Sequence, residues 1–374
     1  MAKRGCDGGL CGGVFTVQAC IESQSMRHMH LVCLGLTLAM LAGCGHMSER
    51  VTAQPPSVPL THFYEFQLIR SADQQSITTT QLAKELADSD VIFIGEVHSH
   101  SASHYLQIQL LSALYQNNPQ LILSMEQFER DKQAVVDAYL DNQIGEQTLI
   151  DQGRAWPNYA SDYRPLVEFA KAHHIPVIAA NAPKDLVRCI AQKGPDIVDQ
   201  LPAQQRAYLA DDLTQSSAAY QAKFHQLMTQ AGAWHGQPQA KPHGAHEPGH
   251  GAQNGKLSNS FYAQLARDNT MAASIAHALD AHPNHQVMAI NGAFHSDGGL
   301  GAVEALRRLK PHVTIKVLSP HEQPSEAADL TAVAEQGDYI YTIQPMPKRY
   351  VQKEHRDQAV MAMMKKRQTY PCPW

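Results

Sequence analysis

Glu96 and His98 stand in the run Gly95-Glu96-Val97-His98-Ser99-His100, and His104 follows close behind. Glu126 and Arg130 are four residues apart in Met125-Glu126-Gln127-Phe128-Glu129-Arg130, and His295 closes Asn291-Gly292-Ala293-Phe294-His295. Carboxylates beside imidazoles can pass protons, or can hold a divalent ion that activates water. Glu96, His98, Glu126, Arg130 and His295 are therefore candidates for a catalytic or metal site. The chain has no His-Glu-x-x-His motif and no Gly-x-Ser-x-Gly elbow, which argues against a standard zincin or serine hydrolase. Any one of these residues alone reads as a helix cap or a surface group. Three similar endings together point to a site.

Each of these motifs directly follows a short apolar run. Val91-Ile92-Phe93-Ile94 precedes Gly95, Leu121-Ile122-Leu123 precedes Ser124, Val177-Ile178-Ala179-Ala180 precedes Asn181, and Val287-Met288-Ala289-Ile290 precedes Asn291. Later strands are expected at 314–318 and 339–343, and Phe63-Tyr64 reads as an edge strand. Helices are expected at 101–115, 131–141, 164–173, 260–280 and 302–309. Continuous apolar runs alternating with helices describe strands buried on both faces, hence an α/β fold with a mostly parallel sheet flanked by helices. In such a fold, ligand chemistry gathers just beyond the carboxyl ends of the strands, where these motifs lie. The spacing of His100 and His104 puts two imidazoles on one face of a helix start. Residues 184–270 interrupt the strand rhythm and read as a small helical subdomain. Within it, 236–255 is rich in Gly, Pro, Gln and His and reads as a disordered loop. His235, His243, His246 and His250 in or beside that loop could bind a metal or haem, but they show no regular ligand spacing, so the plain reading is an exposed insertion.

The two Gly-x-x-His motifs, with Glu126 and Arg130 between them, resemble the superfamily of erythromycin esterases, TraB and Tiki proteins and ChaN-type haem-binding lipoproteins. The 125–130 block with Gln133 and Tyr139-Leu140, Trp156 with Tyr163-Arg164-Pro165, Ala180-Asn181-Ala182-Pro183, and Arg267-Asp268-Asn269-Thr270-Met271-Ala272 narrow the resemblance to the ChaN branch. It spans most of 89–319. The resemblance implies haem binding in iron uptake, with tyrosine coordination and a homodimer holding two haems face to face. A phenolate is a hard donor suited to ferric haem, in an apolar pocket with cations for the propionates. Tyr163, in the best-matching block, and Tyr159, four residues before it, are the tyrosine candidates, each weighed against an ordinary core tyrosine. His98 and His104 are alternative axial donors. In the other branches the same histidines and glutamates serve hydrolysis, so a metal-dependent hydrolase is the second expectation, and enzyme activity stays open.

The apolar run Leu31 to Met40 is too short to span a bilayer but suits the h-region of a signal peptide, with Met26-Arg27-His28-Met29-His30 as its positive start. It ends in Leu41-Ala42-Gly43-Cys44, which resembles the lipobox of bacterial lipoproteins. That resemblance implies a diacylglycerol on Cys44, cleavage before it, and, with Gly45 rather than Asp next, the outer membrane. Residues 1–43 are thus expected to be a signal peptide preceded by a spurious extension, with translation starting at Met26 or Met29. Residues 44–60, with Pro55-Pro56, are a tether between lipid and a domain at 61–350. Of seven cysteines, Cys44, Cys189 and Cys372 remain after cleavage; Cys189 and Cys372 could pair in an oxidising compartment or stay free, and two thiols define no disulfide framework. A formal charge of −5 without a basic run excludes a nucleic-acid role. The expected partners are haem, the membrane and an outer-membrane haem receptor. The tail, 351–374, has methionines near Lys365-Lys366-Arg367 and reads as loosely packed.

Overall fold

The computed structural model describes residues 59–234, 257–323, 330, 333–368 and 370–374. Cys44 with its lipobox, and His235, His243, His246 and His250, lie outside the described residues.

Eight strands form one sheet: β1 (Phe66–Arg70), β2 (Ser76–Ile77), β3 (Val91–Glu96), β4 (Leu121–Glu129), β5 (Val177–Asn181), β6 (Gln286–Gly292), β7 (Ile315–Glu322) and β8 (Tyr339–Ile343). Their order is β2-β1-β8-β7-β3-β6-β4-β5. From β8 to β5 all pairs are parallel, whereas β1 runs antiparallel to both β2 and β8. The fold is α/β with a mostly parallel sheet, and the apolar runs are its inner strands. β3 is buried at all six positions and β4 at all nine, as covered parallel strands must be.

The helices are α1 (Thr79–Glu85), α2 (Ser101–Asn117), α3 (Gln133–Leu140), α4 (Glu146–Gln152), α5 (Arg164–Ala172), α6 (Lys184–Lys193), α7 (Ala203–Arg206), α8 (Ala218–Trp234), α9 (Asn259–Ala281), α10 (Ala302–Leu309) and α11 (Lys353–Gln368). α2 and α5 cover one face of the sheet through Leu106, Leu110 and Leu166, while α9 and α10 cover the other through Ile275, Val303 and Leu306. The chain leaves β3 by a helix on the first face and leaves β6, its neighbour, by a helix on the second. Adjacent strands whose connections part in this way open a crevice at their carboxyl ends. β3, β6 and β4, which carry the three motifs, are consecutive in the sheet.

Several expectations differ from the structure. Phe63 and Tyr64 precede the sheet, and the edge is made by β1 and β2. β4 runs on through Met125 to Glu129, past a register shift between Met125 and Glu129. Glu126 is held there by the Gly292 N–H and His295, Gln127 by Glu96, and Glu129 by Arg154. The subdomain boundary at 270 falls inside α9, whose first half packs on α6 and whose second half packs on the sheet. The pairing of Cys189 with Cys372, which the sequence leaves open, is formed: Cys372 is bonded to Cys189 on α6, 183 residues away. The Cys372 N–H donates to the Gln192 amide oxygen at 3.0 Å, and Arg188 lies 5.4 Å from the Tyr370 ring, so the last residues form a strap on the helical subdomain.

Candidate functional site

The register of β3 and β6 explains the paired Gly-x-x-His. Gly95 lies beside Asn291, and Glu96 beside Gly292. A Cβ on Gly292 would stand 2.7 Å from Nε2 of His98, and one on Gly95 would stand 2.9 Å from Cα of Ala293. Each glycine thus makes room for the loop of the other strand. Ser99, with φ 65°, then turns the chain into α2, where the Nδ1 of His100 accepts from the Ala102 N–H at 3.2 Å. Nε2 of His100 faces the Gln344 carbonyl at 2.8 Å, so His100 caps a helix and leaves the chemistry to its neighbours.

Glu96 is the first hub. Its Oε1 accepts from the Tyr163 hydroxyl at 2.6 Å, from His98 Nδ1 at 2.8 Å and from Gln127 Nε2 at 3.3 Å. Its Oε2 accepts from Gln107 Nε2 at 2.6 Å. His104 is buried, with Nδ1 3.1 Å from the Gln107 amide oxygen and Nε2 3.3 Å from Asp162. Burial presses the His98 pKa down, but the bond to Glu96 and the charges of Glu126 and Glu96 raise it on balance. The His98 ring is about half exposed and meets the edge of Trp156 at 5.1 Å.

Tyr159 and Tyr163 form one turn of π-helix, Tyr159–Tyr163, ahead of α5. Such turns often mark functional sites, because they displace side chains from the α-helical positions. Both rings are buried. The Tyr163 hydroxyl is spent on Glu96, and the Tyr159 hydroxyl has no hydrogen-bond partner. Burial, and for Tyr163 the adjoining Glu96, push both phenols well above their ordinary pKa.

Glu126, His295 and Asp268 make a second hub. Nδ1 of His295 lies 2.6 Å from Asp268, Nε2 lies 3.4 Å from Glu126, and Glu126 accepts from the Gly292 N–H at 2.7 Å. Burial alone would raise the Glu126 carboxyl, but the charge and hydrogen bond of His295, with His98 and Gly292, hold it down near about 2. Burial likewise lowers His295, yet its two carboxylates raise it to about 10. The result is a buried imidazolium between two carboxylates. Tyr220 on α8 donates to the far oxygen of Asp268. Lys223, also on α8, donates to the carbonyls of Phe294 and Asp297 at 3.0 and 2.8 Å, which ties the helical subdomain to the loop after β6.

Arg130 is not part of either hub. Its Nη2 donates to Nδ1 of His277 on α9 at 2.9 Å, because the 3-10 turn after β4 carries the side chain toward that helix. Asp268, Gln107, Gln127 and Tyr220 were missing from the candidates read in the sequence. Asp268 had a signal as a member of the 267–272 block, and Gln127 as a member of the 125–130 block, but no spacing linked Asp268 to His295 or Gln127 to Glu96. Among the described residues no group of three or more His, Cys, Asp or Glu is arranged to hold a metal ion, so the divalent-metal expectation gains no support.

A family signature described as "Haem-binding uptake, Tiki superfamily, ChaN" matches residues 82–306, more than half of the chain. Among solved structures, ChaN of Campylobacter jejuni, described with cofacial haem binding, superposes with a TM-score of 0.54 at 16% identity, over 77% of this chain and 100% of that one. An erythromycin esterase mutant in its open conformation gives a TM-score of 0.40 at 12% identity, over 80% of this chain and 87% of its own. No curated protein sequence matches. At such identities the structural likeness speaks for the fold, and the signature speaks for the family. The chain belongs to the ChaN family of haem-binding uptake proteins, in the Tiki superfamily.

Proposed function

We propose that this protein binds haem in the bacterial cell envelope and serves haem or iron acquisition, held to a membrane, in our reading the outer one, by lipid on Cys44. The observation that carries the proposal is the family signature across 82–306. The Cys189–Cys372 bond supports the envelope location, since such bonds persist in oxidising compartments. An outer-membrane haem receptor and a second copy of the chain are the partners this reading calls for.

The proposed iron donors are Tyr163, Tyr159, His98 and His104. In the arrangement described Tyr163, Tyr159 and His104 do not fit an axial role, because their side chains are buried, whereas the His98 ring is about half exposed. Tyr163 and the Nδ1 of His98 are bonded to Glu96, Nε2 of His98 lies over Gly292, and His104 and Tyr159 are buried. Coordination by Tyr163, Tyr159 or His104 requires the turn at 159–163 or the loop after β3 to open. A haem titration of the purified protein, followed by visible spectroscopy, tests the function. Saturable uptake with a defined ferric spectrum is the expected result, and its absence removes the haem reading. If the donors stay inward, Tyr163→Phe and Tyr159→Phe keep the spectrum. Loss of the spectrum in either variant shows instead that the buried turn opens.

A further inference from the structure

Between Met346 and Tyr370 the chain carries seven Lys and Arg against two carboxylates, Glu354 and Asp357, in a protein whose formal net charge is −5. Asp357 is itself paired with Lys353 and Arg356. None of the described side chains in this stretch is buried. Of the large apolar side chains exposed among the described residues, six lie here: Met346, Tyr350, Val351, Met361, Met363 and Tyr370, with Val351 88% and Met361 71% exposed. Apolar surface gathered in this way, with charge of one sign around it, marks an interaction face. At its centre is α11, where six apolar residues in succession, 359–364, run into Lys365-Lys366-Arg367. The stretch is fixed at both ends. At its start the Gln344 amide donates to the Leu60 carbonyl at 2.7 Å, and the Met346 N–H donates to Glu322 at 3.0 Å. At its finish stands the Cys189–Cys372 bond.

Leu60 is also where the expected tether enters the domain. Cys44 lies sixteen residues before it, so lipid on Cys44 holds this edge within about 55 Å of the surface at full stretch, and nearer in any less extended state. Tyr64 and Tyr105, both exposed, meet edge to face at 6.2 Å beside the same entry, and a tyrosine, apolar in its ring and polar at its tip, suits the headgroup level of a bilayer. No helix among the described residues is long and apolar enough to cross a membrane, so α11 can lie on a bilayer but not span it. We propose that 346–370 is a second membrane contact: α11 lies in the headgroup layer of the membrane that holds the Cys44 anchor, with Met361 and Met363 at the acyl boundary and the basic residues against anionic phosphate groups. This rests on the lipid-anchor reading above. The anchor turns the contact into an intramolecular event, so a face too weak to draw the chain from solution is still occupied.

The test places the full chain, purified from membranes, in vesicles of brominated phosphatidylcholine with or without phosphatidylglycerol. Met361→Trp adds a tryptophan on α11, and Leu309→Trp adds one at an exposed position on α10, outside the stretch. Bromine on the acyl chains quenches a tryptophan that reaches them. With phosphatidylglycerol present, the emission that Met361→Trp adds to wild type is expected to fall by about half or more, as for a side chain at the depth interfacial helices reach. That of Leu309→Trp stays unchanged. Lys365→Gln, Lys366→Gln and Arg367→Gln together, added to Met361→Trp, restore the emission, and so does high salt. Quenching that is equal with and without phosphatidylglycerol overturns the role given to the basic residues. No quenching in either vesicle overturns the contact, and emission that instead follows protein concentration assigns the face to a second copy of the chain and overturns it too. The intact mass reports lipid on Cys44 separately. A chain without the lipid removes the anchor, and the quenching then decides the contact alone.

Discussion

At the carboxyl end of β3, Glu96 accepts hydrogen bonds from four side chains, whereas along α9 Arg130 makes one, to the ring of His277. The two regions use similar residue types and finish in opposite states. The strand-end hubs are closed networks in which the carboxylates are satisfied from within the protein. In low dielectric such networks stiffen the part of the fold they occupy, and an incomplete one is costly. The groove between α7, α9 and α10 keeps cationic charge open toward a space of 990 Å³. On this comparison the hubs brace β3, β6 and β4, while the α9 groove carries less of the fold.

The largest expected effect comes from breaking a hub. In His295→Ala the buried carboxylates of Glu126 and Asp268 lose the cation between them. Removing one partner of a buried ionic set costs about 3–5 kcal/mol. Denaturant unfolding of the variant against wild type measures it, and a loss below about 1 kcal/mol would show that the hub does not brace the fold. The same network sets the pH dependence. His295, raised in the folded state, contributes stability that is full below its unfolded value near 6.5 and lost as pH climbs through about 10. Glu126, lowered in the folded state, contributes stability that is full above 4.5 and lost as pH falls toward about 2. Unfolding midpoints measured across pH should therefore fall away on both sides in wild type, with a flatter profile in His295→Ala.

A smaller effect is expected from the strap. Cys372→Ser releases a closure of 183 residues. Bonds that close long loops contribute about 2–4 kcal/mol, mainly by restricting the unfolded chain. Because the strap is fastened to α6, and α6 shares a core with α9, the loss should appear first in the helical subdomain. Hydrogen exchange read by segment distinguishes this from uniform loosening: amides of α6 should lose protection before those of β3. Smaller again is Tyr163→Phe, which keeps the ring and removes one donor to Glu96. With three other donors remaining, the cost should be near 1 kcal/mol, measured by the same unfolding experiment.

The legibility of the two regions differs for a physical reason. Strands covered on both faces must be written in apolar residues, so Val91 to Ile94 and Val287 to Ile290 announce themselves, and parallel order places their carboxyl ends together. Glu96, Glu126 and His295 could be seen for that reason. The continuation of β4 through Glu126, Gln127 and Glu129 was hidden, because polar residues are buried in a strand where partners meet them, and His295, Glu96 and Arg154 sit far away in sequence. The direction of Arg130 was hidden by the 3-10 turn that follows β4. A groove assembled from α7, α9 and α10 leaves no local pattern at all, since alanines spread along helices read as ordinary helix formers.

The least costly change is therefore expected at the residue with the fewest bonds. Arg130→Gln loses one hydrogen bond to His277 from a partly buried side chain. Its burial already disfavours the charge, so replacing the cation with a neutral group offsets part of what the lost bond costs. The stability change should stay within about 0.5 kcal/mol, as for substitutions away from cores and networks. A loss as large as that of His295→Ala would mean that Arg130 is itself a brace, and the contrast between a closed strand-end network and an open groove would then fail at its sharpest point.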